Sequence, residues 1–534
     1  MELADYMIIG SGCTGAMAAA TLCDNGKSVM MIDAGIEGET PVKTNDDFIS
    51  KRLHDAHQPD FFLGDELDAL REPVHPNIPQ QTPQRAFMNA QTDRFIPIQS
   101  NNFFPVESLA FGGLGNGWGL GSYTFSGKEL QKCSLPVDEM NDAYKTVATR
   151  IGISGSADDD ASVYCHNNLF PVQPSVQLNP SAESLYHRYL KKQQQFTEKG
   201  ITTGRPSLAL LTEDLDGRKA YSYKDIDFYT NEDNSAYRPY ITIQKLINQG
   251  LLDYKKGWLV LSFKEQDQFV SIQCLNIHSK EIQQFHARKL ILCSGTLGTS
   301  RIVMRSLPGA DQLPVICNAY TYMPMVYLPF VGKKHIGQFS SLAQLAMFYD
   351  PDKDHSNVAM ASVYNYRSLL NFRIMKQMPL NHADGRKFLQ LMIPSLFIAG
   401  IFHPANYLQG NTIQLRQSSS LTGDTLFTNY TYTGKEEATI RHTEKVYSGA
   451  FRKLSCLVLK KIRTITGGSI HYAGTLPFSD TEKPFHISGD GKLYGTSNVY
   501  VADGCGFTYL PGKGLTLSLM AYAHLTASKL LRDE

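Results

Sequence analysis

Three glycines and one acid near the start of the sequence have the types and spacing that hold a dinucleotide. Gly10, Gly12 and Gly15 follow a short apolar run, and Asp33 ends a second apolar run after an alanine-rich stretch. In a strand–turn–helix–strand unit the first glycine permits the tight turn, the second lets the backbone approach a pyrophosphate, and the third lets the helix pack closely on the strand. The acid can accept hydrogen bonds from ribose hydroxyls. The unit predicts a dinucleotide site without distinguishing NAD from FAD.

A second glycine-rich segment, residues 111–130 (FGGLGNGWGLGSYTFSGKEL), is the next candidate for ligand contact. So many glycines do not suit a helix or a strand interior, but they suit a loop whose backbone must lie against a flat ligand. Within this loop Asn116 offers hydrogen bonds and Trp118 offers a large apolar wall. The segment therefore predicts a loop that covers a bound ring system.

The elements that must position these residues follow from the hydrophobic pattern. A strand at 290–293 runs into a turn at Gly295 and then into a helix. A second strand, at 498–503, ends at Asp503 and Gly504. Apolar strands that end in glycine turns are typical of α/β units, in which ligands bind at the ends of the strands.

The composition excludes several classes of protein. The 534 residues are 42% hydrophobic, which supplies a packed core and excludes a wholly disordered chain. Lysine plus arginine and aspartate plus glutamate both number 51, so the chain lacks the surplus of cations that nucleic-acid binding needs. The nine cysteines form no CxxC pair, which disfavours a zinc knuckle and is typical of reduced, buried thiols. No basic segment precedes the first apolar run, so we expect no signal peptide and a cytoplasmic location.

The longest apolar run, residues 388–402 (FLQLMIPSLFIAGIF), is interrupted by Gln390, Pro394 and Ser395. It is shorter than the roughly 20 residues of a membrane span, so we expect no transmembrane segment. The run indicates a buried helix or a pocket wall, with an interfacial, lipid-contacting surface as the alternative. The aromatic and methionine-rich segment 320–330 hints at an apolar pocket, although ordinary core has the same composition and a sugar-like substrate stays open.

Together with SIHYAGT at 469–475, these blocks resemble the glucose–methanol–choline (GMC) family of FAD-dependent oxidoreductases, especially its bacterial members. Residues 141–239 and 311–464 match no motif of the family. The resemblance implies that FAD lies between the glycine-rich loop and the block around residue 503. The residues implied to contact FAD are Gly10, Gly12, Gly15, Asp33, Gly112, Gly113, Asn116, Trp118, Val260, Gly295, Asp503 and Gly504. Some relatives attach the flavin through a histidine of this loop, but residues 112–119 contain neither His nor Cys, so we expect non-covalent FAD.

The resemblance also implies a catalytic base. In the family the histidine of an HxxGT motif lies near flavin N5 and the substrate hydroxyl, and the matching residue here is His471, followed by Gly474 and Thr475. Imidazole, with an unperturbed pKa of about 6.5, suits the removal of a hydroxyl proton near neutral pH. The sequence departs from the family at the second catalytic position, normally His or Asn, where it has Gly514. The neighbouring Lys513 is the nearest replacement, with a solvated lysine in a glycine turn as the alternative.

The fold class implied by the resemblance is α/β: a Rossmann-like FAD-binding domain with an inserted substrate domain of sheet and helices. The expected FAD-binding domain comprises 1–50, 95–140, 240–310 and 465–534, and the expected substrate-binding domain comprises 141–239 and 311–464.

The leading functional hypothesis is an FAD enzyme that oxidises a C–OH group of a small or medium organic substrate by hydride transfer to flavin N5. Electrons would then pass to oxygen or to another acceptor. Gly514 keeps open a second hypothesis, a flavin-dependent tailoring enzyme that performs desaturation, isomerisation or other chemistry on the same fold. A non-catalytic flavin carrier is the third, and the intact His471 argues against it.

Overall fold

The computed structural model describes residues 3–38, 54–64, 66–67, 75–78, 83–223, 231, 233–333, 340–365, 378–408 and 410–532. Its α-helices are Cys13–Asp24, Gln58–Leu63, Pro83–Ala86, Thr92–Phe95, Gly127–Lys132, Val137–Ile151, Ser162–Cys165, Pro180–Leu190, Gln193–Thr197, Pro239–Asn248, Gly295–Ser306, His382–Met392, Gly434–Lys453 and Thr516–Arg532. Single turns of 3₁₀-helix lie at Phe87–Asn89, Gly113–Asn116, Leu328–Phe330, Ile393–Ser395 and Gly504–Gly506.

A seven-stranded sheet, here called the first sheet, carries the predicted dinucleotide unit. Its strands, in spatial order, are Leu252–Lys256, Val29–Asp33, Leu3–Ile9, Ile282–Leu292, Val270–Asn276 and Trp258–Glu265, with Val499–Val501 also pairing with Ile282–Leu292. Leu3–Ile9 is parallel to both neighbours, and Val499–Val501 is parallel to Ile282–Leu292. Parallel strands buried on both faces are nearly continuous apolar runs, and Val29–Asp33, Val499–Val501 and the second half of Leu3–Ile9 have this pattern. The predicted strand–turn–helix–strand unit is therefore confirmed.

Helices cover one face of this sheet. Helix Cys13–Asp24 packs against helix Thr516–Arg532, where Thr21 Oγ1 lies 2.7 Å from His524 Nδ1. Helix Val137–Ile151 packs on the same helix Thr516–Arg532. The domain boundary expected between residues 140 and 141 falls inside helix Val137–Ile151, so we propose that this whole helix belongs with the cofactor domain.

A second seven-stranded sheet is antiparallel. Its strands, in spatial order, are Cys456–Val458, Tyr320–Tyr327, Leu396–Phe402, Ala359–Asn365, Leu345–Tyr349 and Ile201–Gly204, with Ile462–Arg463 also pairing with Tyr320–Tyr327. Smaller sheets join Ile98–Ser100, Asp424–Asn429, Thr412–Gln417 and Gln312–Pro314, then Ile316–Cys317 with Tyr472–Ala473, and Ala405–Asn406 with Tyr509–Leu510.

The side chains of the aromatic and methionine-rich segment 320–330 lie on both faces of the second sheet. One face packs into the core and the other borders a cavity. Met323 and Met325 belong to a buried cluster that also contains Tyr447 of helix Gly434–Lys453. Tyr320 and Tyr322, which alternate with them along the strand, line a cavity on the opposite face. The prediction of a pocket wall is thus correct for one face of the strand.

The apolar run 388–402 is split between two elements. Phe388 and Leu391 lie on helix His382–Met392 with 46% and 49% exposure, whereas the later residues form the buried strand Leu396–Phe402. Within the described ranges no helix combines the length and the apolar character needed to cross a bilayer.

Candidate cofactor and active site

A cavity of about 780 Å³ joins the glycine turn of the first sheet to one face of the second sheet. Of the residues implied to contact FAD or substrate, it is lined by Gly10, Gly12, Asp33, Gly113, Trp118, Val260, Gly295, Asp503, Gly504 and His471. We call its far part the sheet end, which is formed by Tyr320, Tyr322, Met360, Ser362, Tyr364 and Phe402. The cavity thus brings the predicted dinucleotide turn and the predicted base into one space.

The glycine turn has the shape of a phosphate cradle. A Cβ on Gly10 would lie 2.7 Å from the carbonyl oxygen of Cys293, and one on Gly15 would lie 1.9 Å from that of Gly10, so neither position tolerates a side chain. A Cβ on Gly12, in contrast, would meet nothing within 4 Å. Gly12 therefore exposes open backbone to the cavity at the start of helix Cys13–Asp24, where helix N–H groups favour a phosphate.

Asp33 lies at the end of its strand, and hydrogen bonds hold its carboxylate in place. Oδ2 accepts hydrogen bonds from the hydroxyls of Ser11 and Tyr254, the latter at 3.0 Å, and the backbone N–H groups of Ser11 and Ala34 also interact with the carboxylate. Burial raises the pKa of Asp33 to about 6, against the lowering effect of these hydrogen bonds. At neutral pH the carboxylate is ionised and can accept from a ribose hydroxyl.

The glycine-rich loop contacts the cavity differently from the prediction at two positions. The Asn116 amide donates to the carbonyls of Phe111 at 2.7 Å and Gly113 at 3.1 Å, so it closes the loop on itself and does not line the cavity. Gly112, with φ of +88°, also lies behind the cavity wall, and its N–H donates to Ser11 Oγ at 2.8 Å. Asn116, which was expected at the flavin edge, thus forms hydrogen bonds that close its own loop.

Trp118 does line the cavity, and two contacts fix its position. Its Nε1 donates to the carbonyl of Tyr237 at 2.9 Å, and its own carbonyl accepts from Arg238 at 2.9 Å. The indole is thus held as a wall beside the space that the glycine turn opens.

Asp503 and Gly504 close the cavity from the side of strand Val499–Val501. The Asp503 carboxylate accepts from the Cys505 N–H at 3.0 Å and from the Thr299 hydroxyl at 2.5 Å. Burial raises its pKa above the ordinary value. These bonds hold Asp503 against helix Gly295–Ser306, so it organises the turn that borders the cavity.

His471 lies at the cavity wall with a defined hydrogen-bonding state. Its Nδ1 is 3.1 Å from Oδ1 of Asn318. The Asn318 amide nitrogen faces three backbone carbonyls, of His403 at 2.7 Å and of Leu510 and Pro511 at 3.3 Å. Since only the NH₂ group can donate to carbonyls, Oδ1 must face the imidazole, and His471 Nδ1 must carry the proton. Nε2 is then the unprotonated, basic nitrogen.

The surroundings of His471 keep the ring neutral. The imidazole stacks on Phe402, with ring centroids 4.5 Å apart and planes 8° from parallel. Burial lowers the pKa of His471 to about 4, because the site disfavours the charged form. At neutral pH the ring is therefore a fixed, uncharged proton acceptor.

Lys513 does not take the role that the sequence suggested. Its ammonium lies 2.8 Å from Glu129 Oε2 and 3.3 Å from the carbonyl of Thr124, and both charged side chains are almost fully buried. Lys513 is absent from the cavity lining. We therefore withdraw it as a catalytic candidate, because its charge is committed to a buried ion pair.

Two polar residues near the site were missed in the sequence. Asn318 lies in the segment 311–464, where no motif was recognised, and only its position in the fold shows its contact with His471. The Ser11 hydroxyl donates to Asp33 and accepts from the N–H of Gly112, so it links the acid to the glycine-rich loop. Ser11 lies between Gly10 and Gly12, and a hydroxyl at this place in the turn could have been noted from the sequence.

The fold and the cavity together define the class of the architecture: an α/β domain with a Rossmann-like parallel sheet, joined to an antiparallel-sheet domain. The solved structure of pyridoxine 4-oxidase from Mesorbium loti is similar over 99% of this chain and 99% of that chain, with a TM-score of 0.58 and 13% sequence identity. The predicted fold class is confirmed. No protein-family model matches the sequence, and no curated protein matches it.

Proposed function

We propose that the chain is an FAD-dependent oxidoreductase that oxidises the C–OH group of an uncharged organic molecule. The observation that carries this proposal is the continuity of the cavity between the open backbone at Gly12 and the neutral imidazole of His471. A dinucleotide bound at the glycine turn would extend toward a group that can take a proton.

The residues present fit FAD. The backbone around Gly12 and the N-terminus of helix Cys13–Asp24 would hold the pyrophosphate, and the Asp33 carboxylate would hold the ribose. Two cysteines line the cavity, Cys13 and Cys293, and burial raises the pKa of both thiols, that of Cys13 to about 12. Neither is a thiolate at neutral pH, which supports non-covalent binding.

The proposed chemistry divides between the cofactor and His471. Bound FAD would supply the acceptor for the hydride that leaves the substrate carbon. His471 Nε2 takes the hydroxyl proton, because Nδ1 is occupied as a donor to Asn318. Asn318 and Phe402 hold the ring in place during the transfer. Oxygen or another acceptor would then reoxidise the enzyme.

The sheet end favours an uncharged substrate with a ring or an apolar body. Its six described side chains are three tyrosines, Phe402, Met360 and Ser362, and none of them is charged. Pyridoxine, the substrate in the name of the similar solved structure, is one compound of this kind.

The test is anaerobic mixing of the FAD-loaded protein with pyridoxine, benzyl alcohol, glucose, cholesterol and short aliphatic alcohols, while flavin reduction is followed by absorbance. We expect one or more of these alcohols to reduce the flavin. His471→Ala should keep FAD bound and slow this reduction by roughly 10²–10⁴-fold, the usual contribution of a positioned base.

His471→Asn is the matched control, since an amide of similar size can hydrogen-bond but cannot take the proton. It should be as slow as His471→Ala. Wild-type rates in both variants would show that His471 is structural, and the absence of flavin reduction by any alcohol of the set would count against alcohol oxidation.

A further inference from the structure

Another part of the chain fills the space beside Gly514. At this position the family that the sequence resembles normally has a second catalytic side chain. A Cβ built on Gly514 would lie 2.7 Å from the carbonyl oxygen of Gly121 and 3.1 Å from Cδ2 of Tyr123. The first distance is below any that real Cβ atoms show. Glycine at 514 is therefore required by the close approach of residues 121–123, and the Tyr123 ring occupies the neighbouring volume.

The hydroxyl of Tyr123 is buried beside polar groups of the sheet end. The residue is 1% exposed, and its Oη interacts with the Ser362 hydroxyl and lies near Tyr364. A buried hydroxyl in this position can donate a hydrogen bond to an oxygen bound in the cavity. Tyr123 also lines the cavity, as do Ser362 and Tyr364.

Phe402 links the surroundings of Tyr123 to those of His471. Tyr123 and Met360 belong to one buried cluster, and Phe402 packs against that cluster. The His471 ring stacks on the same Phe402. Tyr123, Phe402 and His471 all line the cavity, and we place the substrate hydroxyl beside these three residues.

We infer that the Tyr123 hydroxyl is the second hydrogen-bonding group for the substrate oxygen, in place of the side chain that Gly514 lacks. It donates a hydrogen bond to the oxygen while His471 Nε2 takes the hydroxyl proton, so the donor stabilises the charge that develops on oxygen. Burial raises the pKa of Tyr123 well above its ordinary value, so the phenol stays protonated. The inference rests on the proposed function for its catalytic part.

The first test compares Tyr123→Phe with Tyr189→Phe. Tyr189 is the matched control because it is also 1% exposed and also carries a buried hydroxyl, but it lies outside the cavity lining. With the alcohol that reduces the wild-type flavin fastest in the set named above, Tyr123→Phe should lower the limiting rate by roughly 10-fold to 100-fold. Tyr189→Phe should keep the wild-type rate, and both variants should keep FAD.

The second test needs no turnover. Trifluoroethanol, an alcohol that resists oxidation, is titrated into the FAD-loaded proteins, and its Kd is read from the change in the flavin spectrum. The loss of one hydrogen bond should weaken its binding to Tyr123→Phe by about 3-fold to 10-fold. Wild type and Tyr189→Phe should bind it equally.

The outcomes separate this inference from the proposed function. Weaker trifluoroethanol binding by Tyr123→Phe without oxidation of any alcohol would support the binding role and contradict alcohol oxidation. Wild-type rates and wild-type Kd in Tyr123→Phe, or no saturable trifluoroethanol binding to the wild type, would overturn the inference.

Discussion

At the scale of single residues, the most informative contact is that between Asn318 and His471. One amide has its orientation set by three backbone carbonyls, and this orientation fixes which imidazole nitrogen carries the proton. A base that titrates near pH 4 stays unprotonated throughout the neutral range. Asn318 acts through His471 and is thus a positioning residue, and it belongs to a segment that gave no motif.

Asn318→Asp is expected to move the pH dependence of flavin reduction. A carboxylate facing Nδ1 favours the charged imidazolium, so it raises the pKa of His471 from about 4. Since the base must be unprotonated, the rate in the wild type falls as the pH drops through about 4. In the variant the rate should already fall at a higher pH.

The measurement is the limiting rate of anaerobic flavin reduction as a function of pH. Asn318→Ala is the control, because it removes the contact without adding a charge. A merely structural role would lower the rate equally at every pH, and an unmoved acid limb in Asn318→Asp would contradict the assignment.

At the scale of elements, the glycine turn shows that three similar residues have different tasks. Gly10 and Gly15 are glycines because the turn, the strand Ile282–Leu292 and the helix Cys13–Asp24 approach one another too closely for a Cβ. Gly12 meets no such obstacle within the chain. The fold therefore does not require glycine at this position, which accords with the proposed close approach of a pyrophosphate.

Gly12→Ala should separate folding from cofactor binding. We expect an unchanged thermal midpoint of the apoprotein and at least a 10-fold weaker Kd for FAD, about 1.4 kcal/mol, because a methyl group blocks the approach of the pyrophosphate. Gly449→Ala is the matched control: its Cβ also meets nothing within 4 Å, but it lies in helix Gly434–Lys453. That variant should keep FAD affinity, and a loss of apoprotein stability in Gly12→Ala would refute the distinction.

The sequence predicted those parts of the site that are local in the chain. The glycine turn and Asp33 lie within 30 residues of one another, so their spacing can be recognised from the sequence alone. The partner of Lys513 is Glu129, 384 positions away, and no local sequence pattern predicts that ion pair. The sequence did not show that the short side chain of Asn116 donates to carbonyls of its own loop. Asn318 meets His471 across 153 positions of the chain, and Tyr123 reaches the cavity through the packing of its loop, so neither contact has a local signal.

At the scale of the whole molecule, both tryptophans of the chain line the same cavity. Trp118 stands on the glycine-rich loop and Trp258 begins a strand at the edge of the first sheet, and both line the cavity. All tryptophan emission therefore originates at the proposed cofactor site. This makes the occupancy of the site directly measurable in the unmodified protein.

Titration of the apoprotein with FAD is expected to quench most of the tryptophan emission in a saturable manner. Denaturation should then release all of the yellow chromophore, since neither His nor Cys lies in residues 112–119 and the two cavity thiols are protonated. Fluorescence titration and absorbance of the supernatant after precipitation are the measurements. Colour that stays with the precipitated polypeptide would contradict non-covalent binding, and unchanged emission would contradict the location of the site.

The long-range pairing of the helices also has a consequence for biosynthesis. Thr21 meets His524 although 503 positions separate them, and strand Val499–Val501 completes the sheet that carries the glycine turn. A ribosome adds about 5–20 residues per second, so the turn emerges roughly half a minute to two minutes before its partners exist. Until residues 499–532 have been translated, the proposed cofactor site is incomplete. Cofactor binding would therefore take place after this block has been synthesised. Yellow colour would therefore report that synthesis and folding of this chain have been completed.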